Sequence, residues 1–116
     1  MSANSKPQAD AAGLIAQLTA DFPGAFSDPP RPLRLGIRQD LQFESKLTDE
    51  EIDRAMTKWT QRTSYLRTQT VGAIRYDLRG RPCGTVSEEN AYFASQRLAQ
   101  MQYEKFRATL IGDLRG

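Results

Sequence analysis

The chain has no histidine and a single cysteine in 116 residues. Without histidine it lacks the side chain that titrates near neutrality, the usual general base and the commonest zinc ligand. Cys83, alone, forms no internal disulfide, and with no imidazole to activate it the thiol is a poor nucleophile. This usage fits a reducing cytoplasm. No enzymatic activity is expected, and no cofactor or metal. Long apolar runs are also missing: none approaches the roughly 20 residues that span a bilayer, and mean hydropathy is -0.60. No membrane partner is expected. The first ten residues are polar, contain Pro7 and show no charged-then-apolar leader. Internal repeats and low-complexity segments are absent.

Excess charge of one sign is scarce in total, at a net +2, but it is unevenly placed. Residues 31–81 hold eleven Lys or Arg against seven Asp or Glu, whereas residues 1–30 are net acidic and residues 82–116 are balanced. Most of the central cations are arginine. Arginine suits phosphate because its planar fork bonds two oxygens at once. A mixed, solvated surface explains a small excess equally well.

Residues 1–8 read as a flexible tail, 9–110 as one folded domain and 111–116 as a C-terminal tail. Asp10 is placed to cap a first helix, with Leu14, Ile15, Leu18 and Phe22 on one face and Pro23-Gly24 as its stop. Asp28-Pro29-Pro30-Arg31-Pro32 is a stiff connector. Leu33 to Leu41 is ambiguous: Leu33, Leu35 and Ile37 alternate as in a strand, while Ile37 and Leu41 share a helical face. Thr48-Asp49-Glu50-Glu51 is a capping box opening a helix. Ile52, Ala55, Met56 and Trp59 form its inner stripe, and packing rather than base stacking is the expected role of Trp59. Arg54 and Lys58 form a second row, which Arg62 extends if the helix runs on. Thr60 and Thr63 are placed to cap a short helix over residues 64–68, whose free amides and dipole suit a phosphate. A last helix starts at Ser87, with Ala91, Ala94, Leu98 and Met101 facing inward and Tyr103 and Phe106 beyond the core.

Between these helices lies Gly72 to Gly84, which reads as a hairpin with Arg79-Gly80 at the turn. Alternation puts Ile74, Tyr76 and Leu78 on an apolar face and Arg75 and Asp77 on a charged one. Arg75 is then an exposed arginine on a rigid element, able to grip a phosphate. Asp77 is expected either to pair with it or to orient it.

Phe22-Pro23 with Phe26, Arg31-Pro32-Leu33-Arg34-Leu35-Gly36-Ile37 with Asp40-Leu41, Tyr65-Leu66, and the run Gly72 to Gly84 occur in an order and spacing that resembles the FinO/ProQ family of bacterial RNA chaperones. The resemblance covers roughly residues 14–98. It implies a mostly α fold with a small β-hairpin, an α+β RNA-binding domain, and a short helix beginning near Leu35. It implies binding of structured RNA, typically the base of an intrinsic-terminator hairpin and its 3′ uridine tail, with regulation through small RNAs and mRNA 3′ ends. The family's concave RNA face falls on Arg34, Tyr65 and Arg75. With the helix start after Trp59, the expected RNA-binding set is Arg34, Arg54, Lys58, Arg62, Thr63, Ser64, Tyr65, Arg67, Arg75 and Asp77.

The chain departs from the family pattern at its Arg79-Gly80 turn and in having Asp53 where some relatives are basic. The long basic extensions of some relatives are not expected here. A monomer is expected. Two other functions compete: a protein-interaction adaptor docking through the long last helix, and a helix-turn-helix DNA binder using the turn after Trp59.

Overall fold

The computed structural model describes residues 10–115, so the expected 1–8 tail lies outside the described residues. The order of elements is α1 (Ala11–Asp21), α2 (Ile37–Glu44), α3 (Asp49–Thr60), α4 (Thr63–Leu66), β1 (Ile74–Tyr76), β2 (Pro82–Thr85) and α5 (Glu88–Arg115). The mostly helical fold with one small hairpin is as expected. Residues 111–115 continue α5.

The helix starts follow the capping chemistry of the sequence. The Gly13 amide donates to the Asp10 carboxylate at 2.8 Å. The Glu51 amide donates to the Thr48 hydroxyl, and the Thr48 amide donates back to the Glu51 carboxylate at 2.9 Å. Each reciprocal bond satisfies an amide that the helix itself leaves open. Ser87 accepts from the Asn90 amide at 3.1 Å in the same way at α5. Leu14 and Leu18 of α1, Leu41 of α2, and Ile52, Met56 and Trp59 of α3 meet in one core. Trp59 packs edge-on to Phe26, ring centres 5.3 Å apart. Among the described residues, no helix is long and apolar enough to cross a membrane.

The ambiguous stretch resolves into two parts. Leu33 forms a single parallel bridge to Tyr76, so a third chain segment lies against β1. Gly36 then takes a left-handed turn, φ 86°, and the helix begins at Ile37 rather than near Leu35. A residue with a side chain resists that φ, and the glycine sets the start.

Three local expectations are corrected. The helix after Trp59 is one turn, Thr63–Leu66, and its N-cap is Arg62, with no side-chain cap. The Thr60 hydroxyl instead donates back to the Met56 carbonyl at 2.9 Å. The row Arg54, Lys58, Arg62 is broken, because α3 stops at Thr60 and the chain turns. The hairpin faces are reversed over β1: Arg75 is buried and Ile74 is 46% exposed. A two-stranded ribbon has one face on the body, and here the arginine side meets it. The register slips between Ile74 and Tyr76, and Leu78 reaches the core from beyond the strand.

The hairpin tip rests on the loop after α1. A Cβ on Gly24 would lie 2.8 Å from the Arg79 carbonyl carbon, and Gly80, at φ 77°, faces the Gly24 backbone. Arg31 donates to the Gly24 carbonyl and lays its guanidinium 3.8 Å over the Tyr76 ring. Backbone thus meets backbone, with the arginine closing one side.

Candidate nucleic-acid interface

Two adjoining hollows of about 440 and 410 Å³ share Leu35, Thr60, Tyr65 and Arg75. The start of α2 bounds the first, and Phe93 and Arg97 of α5 bound the second. Together they form a concave face where the start of α2, the end of α3, α4 and the start of α5 converge.

Arg75 is at its floor, 5% exposed. It donates to the Leu33 carbonyl at 2.8 Å and to the side-chain oxygens of Gln69 and Asn90, each at 3.2 Å. Its Nε is buried without a partner. Every one of those acceptors is neutral, and among the described residues no carboxylate pairs with Arg75. Burying a cation costs free energy unless a counter-charge approaches it. The floor therefore presents a positive charge with no internal anion.

Tyr65, from the buried side of α4, lies beside it. Its hydroxyl oxygen accepts from the Leu33 amide at 3.1 Å. Burial pushes the hydroxyl above its ordinary range, against the opposing pull of the Leu33 amide and the Arg75 charge. The phenol keeps its proton and can donate it to an incoming oxygen.

The rim differs from the floor. Arg34 pairs with Asp40 at 2.9 Å. Arg38 of α2 pairs with Asp53 of α3 and reaches the Thr57 hydroxyl at 3.5 Å. Arg97 donates to Gln61 at 2.7 Å. Leu35 and Phe93 are exposed beside them and offer apolar surface for a base.

The expected site residues fall into separate groups. Arg34, Tyr65 and Arg75 come together on the concave face. Arg54 and Lys58 instead line a shallow hollow with Ala11 and Asp53, between α3 and the start of α1. Arg62 lays its guanidinium 4.5 Å over the Trp59 ring. Thr63 and Ser64 on α4, and Arg67 just after it, are exposed and line neither concave hollow. Asp77 neither orients nor pairs with Arg75. Its carboxylate accepts from the Arg79 and Arg81 amides, both at 2.9 Å, and from the Arg81 guanidinium at 3.0 Å, which ties the hairpin turn. Cys83 is exposed on β2, with its thiol pushed up first by desolvation and then by Asp77.

Arg38, Gln69, Asn90, Phe93 and Arg97 join this face without belonging to the set expected from sequence. Arg38 carries a readable signal, lying four residues after Arg34. Gln69 and Asn90 carry none, because their role exists only where Arg75 meets them. No group of three or more metal-ligating side chains occurs among the described residues.

Comparison with known proteins agrees with this architecture. Residues 9–109 match the model of the ProQ/FINO family. The RNA chaperone ProQ of Pasteurella multocida and that of Histophilus somni are each 34% identical over 93 residues, covering 75% of this chain and 44% of theirs. The chain thus spans less than half the length of these curated relatives. Among solved structures, a ProQ homolog from Legionella pneumophila superposes with a TM-score of 0.64 at 26% identity, over 79% of this chain and 83% of the other. A FinO-like RNA chaperone from Neisseria meningitidis gives 0.61 at 25% identity, over 72% and 88%. A family match across nearly the whole chain, on a helical fold with this hairpin, makes this protein a member of the ProQ/FINO family.

Proposed function

We propose that this chain is an RNA chaperone that holds structured RNA on the concave face. Its preferred ligands are the base of an intrinsic-terminator hairpin and the 3′ uridine tail of small RNAs and mRNA 3′ ends. It acts in the cytoplasm, by stabilising those RNAs or bringing strands together. One observation carries the reading: Arg75 is a buried cation with only neutral partners, open toward a concave surface. A phosphate is the natural counter-charge for it. The Tyr65 proton supplies a donor for a phosphate oxygen or a 2′-hydroxyl. Phe93 and Leu35 supply surface for unstacked bases. The names of the relatives point the same way.

A helix-turn-helix role fits poorly, since α4 has four residues and buries Tyr65 and Leu66. An adaptor role draws on the exposed Tyr103 and Phe106 of α5.

The test is a gel-shift titration with a hairpin RNA ending in a free uridine tail. The same RNA with a 3′ phosphate or a 3′ extension, and a DNA duplex of equal charge, serve as competitors. The free-ended hairpin is expected to bind tightest, and affinity to fall steeply with salt. Equal binding of free and blocked ends refutes end recognition. No binding in dilute buffer refutes the RNA role and favours the adaptor.

A further inference from the structure

Floor and rim of the concave face treat their cations in opposite ways. Arg75 at the floor has no carboxylate, while Arg38 at the rim is held by Asp53, across from α2 to α3. Both arginines line the same hollow. The Arg38–Asp53 pair is solvent-exposed, at 46% and 68% of the two side chains. Exposed pairs of this kind contribute little to stability and exchange partners readily. The carboxylate therefore occupies a position that a phosphate oxygen can take.

We infer that Arg38 is a specificity-determining RNA contact gated by Asp53: a phosphate of the bound RNA displaces the Asp53 carboxylate from the Arg38 guanidinium. This rests on the RNA-binding reading of the same face. An RNA that fills the floor at Arg75 delivers its next phosphates to the rim at high local concentration and wins the exchange. An RNA held only by stray charge meets a rim already neutralised. Asp53 thus lowers affinity for every RNA and lowers it most for those that do not fit the floor. Thr57, 3.5 Å from Arg38, keeps the guanidinium at the mouth.

The experiment is a double-mutant cycle on the full chain, read as the Kd of the free-ended hairpin RNA at low salt. The variants are Asp53→Ala, Arg38→Ala and the pair. Asp21→Asn, at the end of α1 and outside both hollows, controls for net charge. Asp53→Ala is expected to tighten binding by about two- to fivefold beyond the control, the worth of one exposed ion pair. In the Arg38→Ala background that gain is expected to vanish. The same gain in both backgrounds, or one no larger than that of Asp21→Asn, overturns the inference while leaving the RNA reading intact. A wild-type chain that ignores the hairpin overturns both. Circular dichroism on each variant confirms the fold, and Asp53→Ser gives the same comparison should Asp53→Ala unfold.

Discussion

Tyr65 and Arg75 hold the same residue by its two backbone groups. The Leu33 amide donates to the Tyr65 hydroxyl at 3.1 Å, and Arg75 donates to the Leu33 carbonyl at 2.8 Å. The two side chains assigned to ligand binding therefore also fasten the Pro-rich connector to α4 and β1. Binding and folding are coupled at this point, and variants must be read in both.

Arg75→Ala leaves the Leu33 carbonyl and the Gln69 oxygen without their donor, while the Asn90 oxygen keeps the Ser87 hydroxyl at 3.0 Å. It is expected to lower unfolding free energy by about 2–3 kcal/mol, from buried acceptors left unmet. Urea denaturation measures this directly. Arg75→Lys keeps the charge but not the fork, and is expected to weaken RNA binding by about tenfold with a smaller loss of stability. Full RNA affinity in folded Arg75→Lys would show that charge alone suffices.

Tyr65→Phe keeps the ring and removes the hydroxyl. The Leu33 amide then lacks its acceptor, and stability is expected to fall by about 1 kcal/mol. RNA affinity is expected to fall by severalfold, because the hydroxyl is lost as a donor as well. An unchanged Kd in the folded variant would confine Tyr65 to packing.

Salt dependence reports how many cations meet phosphate. A log–log plot of affinity against salt is expected to be linear, and Arg34→Ala to reduce its slope by about 0.7 to 0.9. Lys58→Ala, on the α1 side of α3, is expected to leave the slope unchanged. Identical effects from both would place the RNA beyond the concave face.

The hairpin turn carries a pH signature. Asp77 is held below its ordinary value of 3.8, first by the Arg81 amide, with the Arg79 amide and the Arg81 guanidinium adding. A depressed carboxyl stabilises the fold fully above the unfolded value, and this is lost as pH falls through the folded one. Thermal melting is therefore expected to drop below about pH 4. Asp77→Asn is expected to shrink that drop while lowering the melting temperature at neutral pH. Parallel curves for the two proteins would show that Asp77 contributes nothing to it.

How much of the fold and the site is legible in the sequence depends on how local the cause is. Thr48 and Glu51 lie three residues apart, and their capping box is readable in full. So are Asp10, the Ile52 to Trp59 stripe and the Gly80 turn. Arg75 defeats the alternation rule, which assumes that the apolar face is the inner one. Its inward turn is decided by Leu33, Gln69 and Asn90, which lie 42, 6 and 15 residues away in sequence. Asp77 departs for a related reason: two strand positions share a face, but the nearby turn amides outcompete a guanidinium already held elsewhere. The division of the concave face into an open floor and a neutralised rim follows from α2 packing on α3, which no spacing within either helix encodes.

The seating of Gly80 against Gly24 restricts how the molecule can be engineered. Hairpin tips are the customary place to splice in an epitope or a fluorescent label, because most hang free in water. Here an insertion between Arg79 and Gly80 pries the tip from its support and transmits the lever through β1 to Arg75. Gly72 has open space around it, with no atom within 4 Å of where a Cβ would stand, and follows the exposed Val71. A reporter there clears the tip, but it must spare the 2.9 Å bond from the Gly72 amide to the Val86 carbonyl and the glycine's φ of 83°.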